Sequence, residues 1–247
     1  MQLNPDLGRR VFAELLGTAL LVAAVVGSGI AAARLSPHDV GLELLENSLI
    51  TAGALVALIL ALQPVSAAFN PVVTLVERAL GAVTTGEAAV LIGAQLAGGI
   101  GGAVLANLMF GLDAVNLSTH HRSGGGLWLA EVVATFGLLL VIFGVARSGR
   151  GGQVAYAVAG YILAAYWFTS STSFANPAVT VARMFSNSFA GIAPASVAMF
   201  VLMQLIGGCL GYAAIRILYP NAEHLAAEIA ADHADVAAPL TASVPAL

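Results

Sequence analysis

The sequence predicts an all-α membrane protein: six transmembrane helices plus two re-entrant half-helices, built as an inverted repeat. Three observations carry the prediction. Of 247 residues, 59% are hydrophobic and 9% charged, whereas a soluble domain carries about 25% charged residues to face water. Three short motifs recur in the same order in the two halves of the chain. In each half, an Asn-Pro pair opens an apolar stretch too short to cross a bilayer.

The long apolar runs fall near residues 11–33, 47–63, 88–109, 128–146, 154–169 and 196–218. A span needs ~20 apolar residues, so six use roughly 120 and leave as many for loops and ends. The first run is too long for a cleaved signal peptide. The breaks are polar, as in Ser36-Pro37-His38-Asp39 and in the loop from Ser118 to Gly126. With six spans, Arg9, Arg10, Arg147, Arg150 and Arg216 fall on one side and Arg34 and Arg122 on the other. The arginine-rich side faces the cytoplasm, which places both termini there.

The repeat is read directly from the residues. Ala13-Glu14-Leu15-Leu16-Gly17-Thr18 matches Ala130-Glu131-Val132-Val133-Ala134-Thr135. Asn70-Pro71-Val72-Val73-Thr74-Leu75 matches Asn176-Pro177-Ala178-Val179-Thr180-Val181, and Gln95-Leu96-Ala97-Gly98 matches Gln204-Leu205-Ile206-Gly207. Three spans per copy is an odd number, so the second copy enters the membrane from the opposite face. The expected organisation is one channel domain over 1–220, with repeat one at about 9–110, a linker at 111–126 and repeat two at about 127–218. An acidic, alanine-rich tail over 221–247 is expected in the cytoplasm.

Asparagine is a preferred N-cap and proline is preferred at the first helical position, so Asn70-Pro71 and Asn176-Pro177 each begin a half-helix. Such backbone survives at membrane depth only inside protein or against a water-filled cavity. In an inverted repeat the two N-termini meet near the midplane. Each asparagine oxygen can cap its own helix while its NH₂ group faces the lumen. Both dipoles aim about half a positive charge at that point, which repels cations and leaves neutral hydroxyls free to accept hydrogen bonds.

On these residues the chain resembles the aquaporin, or major intrinsic protein, family across about residues 10–218. The resemblance implies a right-handed six-helix bundle, one pore per subunit, homotetramers, and passive flow of water or small uncharged solutes. It places Asn70, Pro71, Val72, Asn176, Pro177 and Ala178 at the pore midplane. Its narrow filter maps to Thr51 (or Ala52), Ala164, Ser173 and the position three after the second asparagine. The family usually has arginine there; this chain has Val179. Val72 replaces the usual alanine of the first motif and is expected to add two methyl groups beside the midplane constriction. Ala68 stands where the family has histidine and Ser66 where it has glycine. The valine filter resembles a bacterial, arsenic-associated aquaglyceroporin branch. That resemblance implies passage of arsenous acid or methylated trivalent arsenicals, and an inner-membrane location. Losing an arginine frees volume and removes a fixed charge with five donors, so the filter is expected to be wider and less basic. Arg183, one turn beyond Val179, is read as an arginine snorkelling or paired at the outer rim rather than a relocated filter arginine.

The remaining features carry less. Glu14 and Glu131 are intramembrane acids, which suggests a proton relay. Their symmetry favours buried acceptors that hold the half-helix loops, with Gln95 and Gln204 as further support. Ala94, Gly98 and Gly102 form a small-residue face for close helix packing. His120-His121 has no accompanying ligands and reads as a polar loop; Cys209 reads as an inert small hydrophobe. No cofactor, metal or nucleic-acid site is expected, and nothing resembles an enzyme's nucleophile–base pair. A water-selective pore and an inverted-repeat secondary transporter are the alternatives.

Overall fold

A computed structural model describes residues 5–220 of the chain; the tail expected over 221–247 lies outside the described residues. The described residues form α1 (Pro5–Leu35), α2 (Val40–Leu62), α3 (Pro71–Ala79), α4 (Thr85–Met109), α5 (Gly125–Arg147), α6 (Val154–Phe168), α7 (Pro177–Arg183) and α8 (Pro194–Leu218), with a 3₁₀ turn at Gly151–Gln153 before α6. α1, α2, α4, α5 and α8 are long and apolar enough to cross a membrane. α6 has 15 residues, about 22 Å of helix, and reaches bilayer scale only with the 3₁₀ turn before it and the extended segment after it. α2 begins seven residues before its apolar run, because Asp39 caps it by accepting from the Leu42 amide at 2.9 Å. Ser36 donates to Glu46 across the same polar turn at 3.0 Å.

The packing maps onto itself when the halves are exchanged. α1 packs on α4 as α5 packs on α8, α1 on α2 as α5 on α6, and α4 on α7 as α3 on α8. Two contacts, α2 on α6 and α3 on α7, join equivalent elements. The two closest helix pairs use equivalent glycines. A Cβ on Gly98 or Gly102 would meet the Leu15 or Ala19 carbonyl oxygen of α1, and a Cβ on Gly207 would stand 2.6 Å from the Val132 oxygen of α5. The small-residue face of α4 is therefore spent on packing within the chain. In lipid, where apolar contacts carry no hydrophobic gain, this close approach is what holds helices together.

The linker between halves is tied to the residues that follow α7. Asn116 and Ser118 amides donate to the Phe185 and Met184 carbonyls at 3.1 and 2.9 Å. Asn107 of α4 donates to Ala114 and Phe185 carbonyls. His120 accepts from the Ala193 amide through its backbone oxygen at 2.8 Å. Cys209 is exposed on α8.

Candidate functional site

Both half-helices begin as their sequences require. Asn70 is extended and accepts from the Val72 amide at 3.0 Å; Asn176 accepts from Ala178 and Val179 amides at 2.9 and 3.2 Å. Their NH₂ groups do more than face a lumen. Asn70 Nδ2 donates to the Ala175 carbonyl at 2.8 Å, and Asn176 Nδ2 donates to the Phe69 carbonyl at 2.7 Å. Each asparagine thus bonds the residue that precedes the other, and the two half-helices are clasped end to end. One N–H of each side chain is used in the clasp. The other has no partner among the described residues, and both asparagines line the central cavity.

The clasp needs an unusual backbone. Phe69 and Ala175 both have positive φ, 47° and 48°, a conformation that costs a non-glycine residue roughly 1–2 kcal/mol. Two carboxylates hold it. Glu14 accepts from the Ala68 and Phe69 amides at 2.8 and 2.7 Å, and from Ser66 Oγ at 2.5 Å. Glu131 accepts from Phe174 and Ala175 amides at 3.0 and 2.9 Å. Hydrogen bonds to a charged acceptor contribute about 1.5–3 kcal/mol each, enough to offset the strain. Gln95 then ties Glu14 to Thr74 of α3, at 2.8 and 2.9 Å; Gln204 ties Glu131 to Thr180 of α7, at 2.6 and 2.8 Å. Both glutamates and both glutamines have no solvent exposure.

A cavity of about 490 Å³ is lined at one end by Asp6, Arg9, Arg10 and Glu77, in the middle by Asn70 and Asn176, and at the other end by Thr51, Tyr166, Ser173, Phe174, Val179 and Arg183. Three of the expected filter residues, Thr51, Ser173 and Val179, lie on this wall. Thr51 Oγ1 and Tyr166 Oη are hydrogen-bonded at 3.1 Å, bridging α2 and α6. Ser173 is buried, and its Oγ has no partner among the described residues.

Two expectations are corrected. Ala164 is exposed and absent from the lining; Ile162 and Tyr166 occupy the wall of α6 instead. Those two are one turn apart on one face, and Ala164, midway between them, points about 160° away from both. Val72 does not border the cavity. It is buried against α8, where Gly208 leaves room for its side chain, and Val73 lines the cavity in its place. Pro71, Pro177 and Ala178 are likewise buried and outside the lining.

Arg183, expected to snorkel or be paired at the outer rim, does not snorkel. It is 2% exposed, lies on the cavity wall, and stacks with its guanidinium carbon 3.5 Å from the Phe174 ring centroid. Its Nε donates to the Ala190 carbonyl. Arg122 lies 5.1 Å from the same ring and donates to the Gly191 and Phe189 carbonyls at 2.9 and 3.2 Å. Three consecutive carbonyls of one loop thus receive two arginines. Neither has a carboxylate within ion-pair distance; the ion pair seen among the described residues is Arg10–Glu87 at 3.9 Å. A desolvated cation–π contact contributes about 2 kcal/mol toward keeping such a charge inside. In the loop, Arg122 is held down to about 10 by burial, partly opposed by Glu131.

Comparison with known proteins now decides the family. The profile of the major intrinsic protein family matches residues 2–172. The chain belongs to that family. Its sequence is 48% identical over 214 residues to aquaglyceroporin AqpS of Rhizobium meliloti (strain 1021), covering 86% of this chain and 91% of the relative. It is 28% identical over 229 residues to the probable aquaporin TIP2-2 of Oryza sativa subsp. japonica, covering 86% and 88%. Among solved structures, the aquaglyceroporin from Plasmodium falciparum superposes with a TM-score of 0.64 at 17% identity, covering 88% of this chain and 99% of that one. That likeness bears on the fold alone. The major intrinsic protein family consists of channels, and this chain is an integral membrane channel of that kind. The family profile stops short of the second Asn-Pro element, where the departure at Val179 lies.

Proposed function

We propose that the protein is an aquaglyceroporin whose pore passes water, glycerol-like polyols and arsenous acid or methylated trivalent arsenicals. One observation carries this reading: the wall beyond the asparagines presents Val179 instead of an arginine, beside a buried Ser173 hydroxyl with no partner among the described residues. An apolar side chain with a free hydroxyl nearby suits an uncharged polyhydroxy solute. The solute can exchange water for Ser173 and for the spare asparagine N–H groups, while its carbon or arsenic skeleton rests on Val179. Arsenous acid is a neutral trihydroxy compound and meets the same requirements as glycerol. Cations are opposed by both half-helix N-termini at the asparagines.

In this reading residues 1–220 are one channel domain, repeated as homotetramers with a pore in each subunit. The arginine bias puts both termini, and the tail over 221–247, in the cytoplasm of a bacterial inner membrane. Arg9, Arg10 and Glu77 then line the inner mouth and Arg183 the outer. A coupled transporter is disfavoured because Glu14 and Glu131 are engaged by backbone amides, not left open for a coupling ion. A water-selective pore is the second reading, since the Tyr166 and Phe174 rings stand on the same wall.

The test is stopped-flow permeability to water, glycerol and arsenous acid in one batch of vesicles. Wild type is expected to pass all three. Val179→Arg should cut glycerol and arsenous acid by roughly tenfold or more while water persists. Wild-type vesicles that pass water alone would replace the proposal with the second reading.

A further inference from the structure

Position seven past each half-helix asparagine lines the cavity, and the two copies carry opposite charges. On α3 the lining face reads Asn70, Val73, Glu77; on α7 it reads Asn176, Val179, Arg183. Residues four apart lie about one turn, ~6 Å, along the same face. We propose that Arg183 is the fixed positive charge at the Val179 end of the pore and its determinant of cation exclusion, set one turn outward of the filter ring so that Val179 leaves the ring open. The proposal rests on the channel reading above and adds the charge selectivity of that pore.

Four observations bear on it. Arg183 is buried yet borders the cavity, so its field reaches a passing solute with little screening. No carboxylate among the described residues stands within ion-pair distance to cancel the charge. The guanidinium lies 3.5 Å from the Phe174 ring centroid, and its Nε is held by the Ala190 carbonyl. Its terminal nitrogens donate to nothing in the described chain, which leaves them for solute hydroxyls. Finally, a need for a cation at the end of a short helix does not explain the burial. α3 meets that need with Arg78, which is exposed and donates to Thr85 Oγ1 at 3.1 Å.

The consequence is a pore with unlike mouths. From the Arg183 side a cation meets the guanidinium and then the two half-helix N-termini, all positive. From the other side it meets a mouth of mixed charge, Asp6 and Glu77 beside Arg9 and Arg10, and the positive half-helix N-termini then stop it at the midplane. Neutral polyols experience neither barrier.

The experiment reconstitutes the full chain in vesicles and reads two quantities. Glycerol shrinkage reports an open pore, and an internal pH dye under an imposed potassium diffusion potential reports proton leak. Arg183→Val is expected to conduct glycerol above the protein-free background and to leak protons at least about tenfold faster than wild type. Arg183→Lys, which keeps the charge, should leak no more than about threefold above wild type. Val179→Asp puts a carboxylate one turn from the intact Arg183, at the spacing of a helical ion pair, and should raise the leak as well. An Arg183→Val pore that conducts glycerol with wild-type proton leak overturns the proposal. If Arg183→Val does not assemble, Val179→Asp decides: an open pore with unchanged leak overturns it equally. Wild-type vesicles without glycerol flux would instead strike the channel reading, independently of either variant's leak.

Discussion

The two halves of this channel share a scaffold and differ in what they place on it. Glu14 and Glu131, Asn70 and Asn176, Thr74 and Thr180, and Gln95 and Gln204 make the same bonds to the same neighbours in each half. The residues around them have diverged in compensating pairs. Before the asparagine, the first half has Phe69 opposite Gly17, and the second has Ala175 where the α5 equivalent of Gly17 is Ala134. After the proline, the first half has Val72 opposite Gly208 of α8, and the second has Ala178 opposite Gly99 of α4. Polar groups that must be satisfied in a medium without water are held fixed. Volume is free to change if its partner changes with it. Glu77 and Arg183 take equivalent places on the cavity wall and carry opposite charges there.

The largest effect should come from breaking the shared part. Glu131→Gln keeps one acceptor oxygen but turns an NH₂ donor toward the Phe174 or Ala175 amide, which leaves a buried amide unpaired at a positive-φ loop. Glu14→Gln does the same beneath Phe69. Each orphaned donor costs about 1–3 kcal/mol, and with the strain no longer opposed the total is roughly 2–5 kcal/mol. Both variants should lose most of their thermal stability in detergent, and by similar amounts. A large loss for one and none for the other would show that the halves are not mechanically equivalent.

A smaller effect tests the first compensating pair. A Cβ on Gly17 would stand within bonding range of the Phe69 ring, so Gly17→Ala must push that ring aside. The cost of such overpacking is typically about 1–3 kcal/mol. Phe69→Ala converts the first half to the pattern of the second, where Ala134 and Ala175 coexist without conflict. The double variant should therefore be more stable than Gly17→Ala alone. If the double variant is no better, the ring is not what Gly17 accommodates.

This division between scaffold and divergent pairs also separates what was legible in the sequence from what was not. The half-helices, the repeat order and the six spans are written in local chemistry: an N-cap asparagine, a proline at the first turn, and long apolar runs. The family finding and the all-helical fold agree with that reading. Which face of an apolar helix meets the cavity is a different matter. α6 is Val154-Ala155-Tyr156-Ala157-Val158-Ala159-Gly160 and onward, small or apolar all round, so no hydrophobic stripe marks an inside. The family resemblance points to Ala164, whereas Ile162 and Tyr166 take the wall. Arg183 escaped for a related reason. Its partners are a backbone carbonyl and an aromatic ring, and neither leaves the acidic signature that would mark a buried arginine in sequence.

The second compensating pair should give the smallest effect and the cleanest discrimination. A Cβ on Gly208 would stand 2.6 Å from a methyl of Val72, whereas a Cβ on Gly99 would meet the Ala178 oxygen and the Ala182 methyl at 3.2 Å. Gly208→Ala therefore requires a rotation of Val72, a side chain already confined to few rotamers. Gly99→Ala requires only a shift of a few tenths of an ångström, but against backbone. Alanine also raises helix propensity over glycine by ~1 kcal/mol, which opposes both costs. The net change should be about 1 kcal/mol destabilising or less for Gly208→Ala. Adding Val72→Ala should remove that clash, because the remaining atom of residue 72, its Cβ, lies 3.9 Å from the new Cβ. At Gly99 no side-chain partner can be trimmed except Ala182, so Ala182→Gly, which brings its own helix penalty, should give little relief. Thermal unfolding of the four variants reads the difference directly. Equal relief at both sites would mean that packing around the half-helices is set by general looseness rather than by the paired volumes of residues 72 and 208.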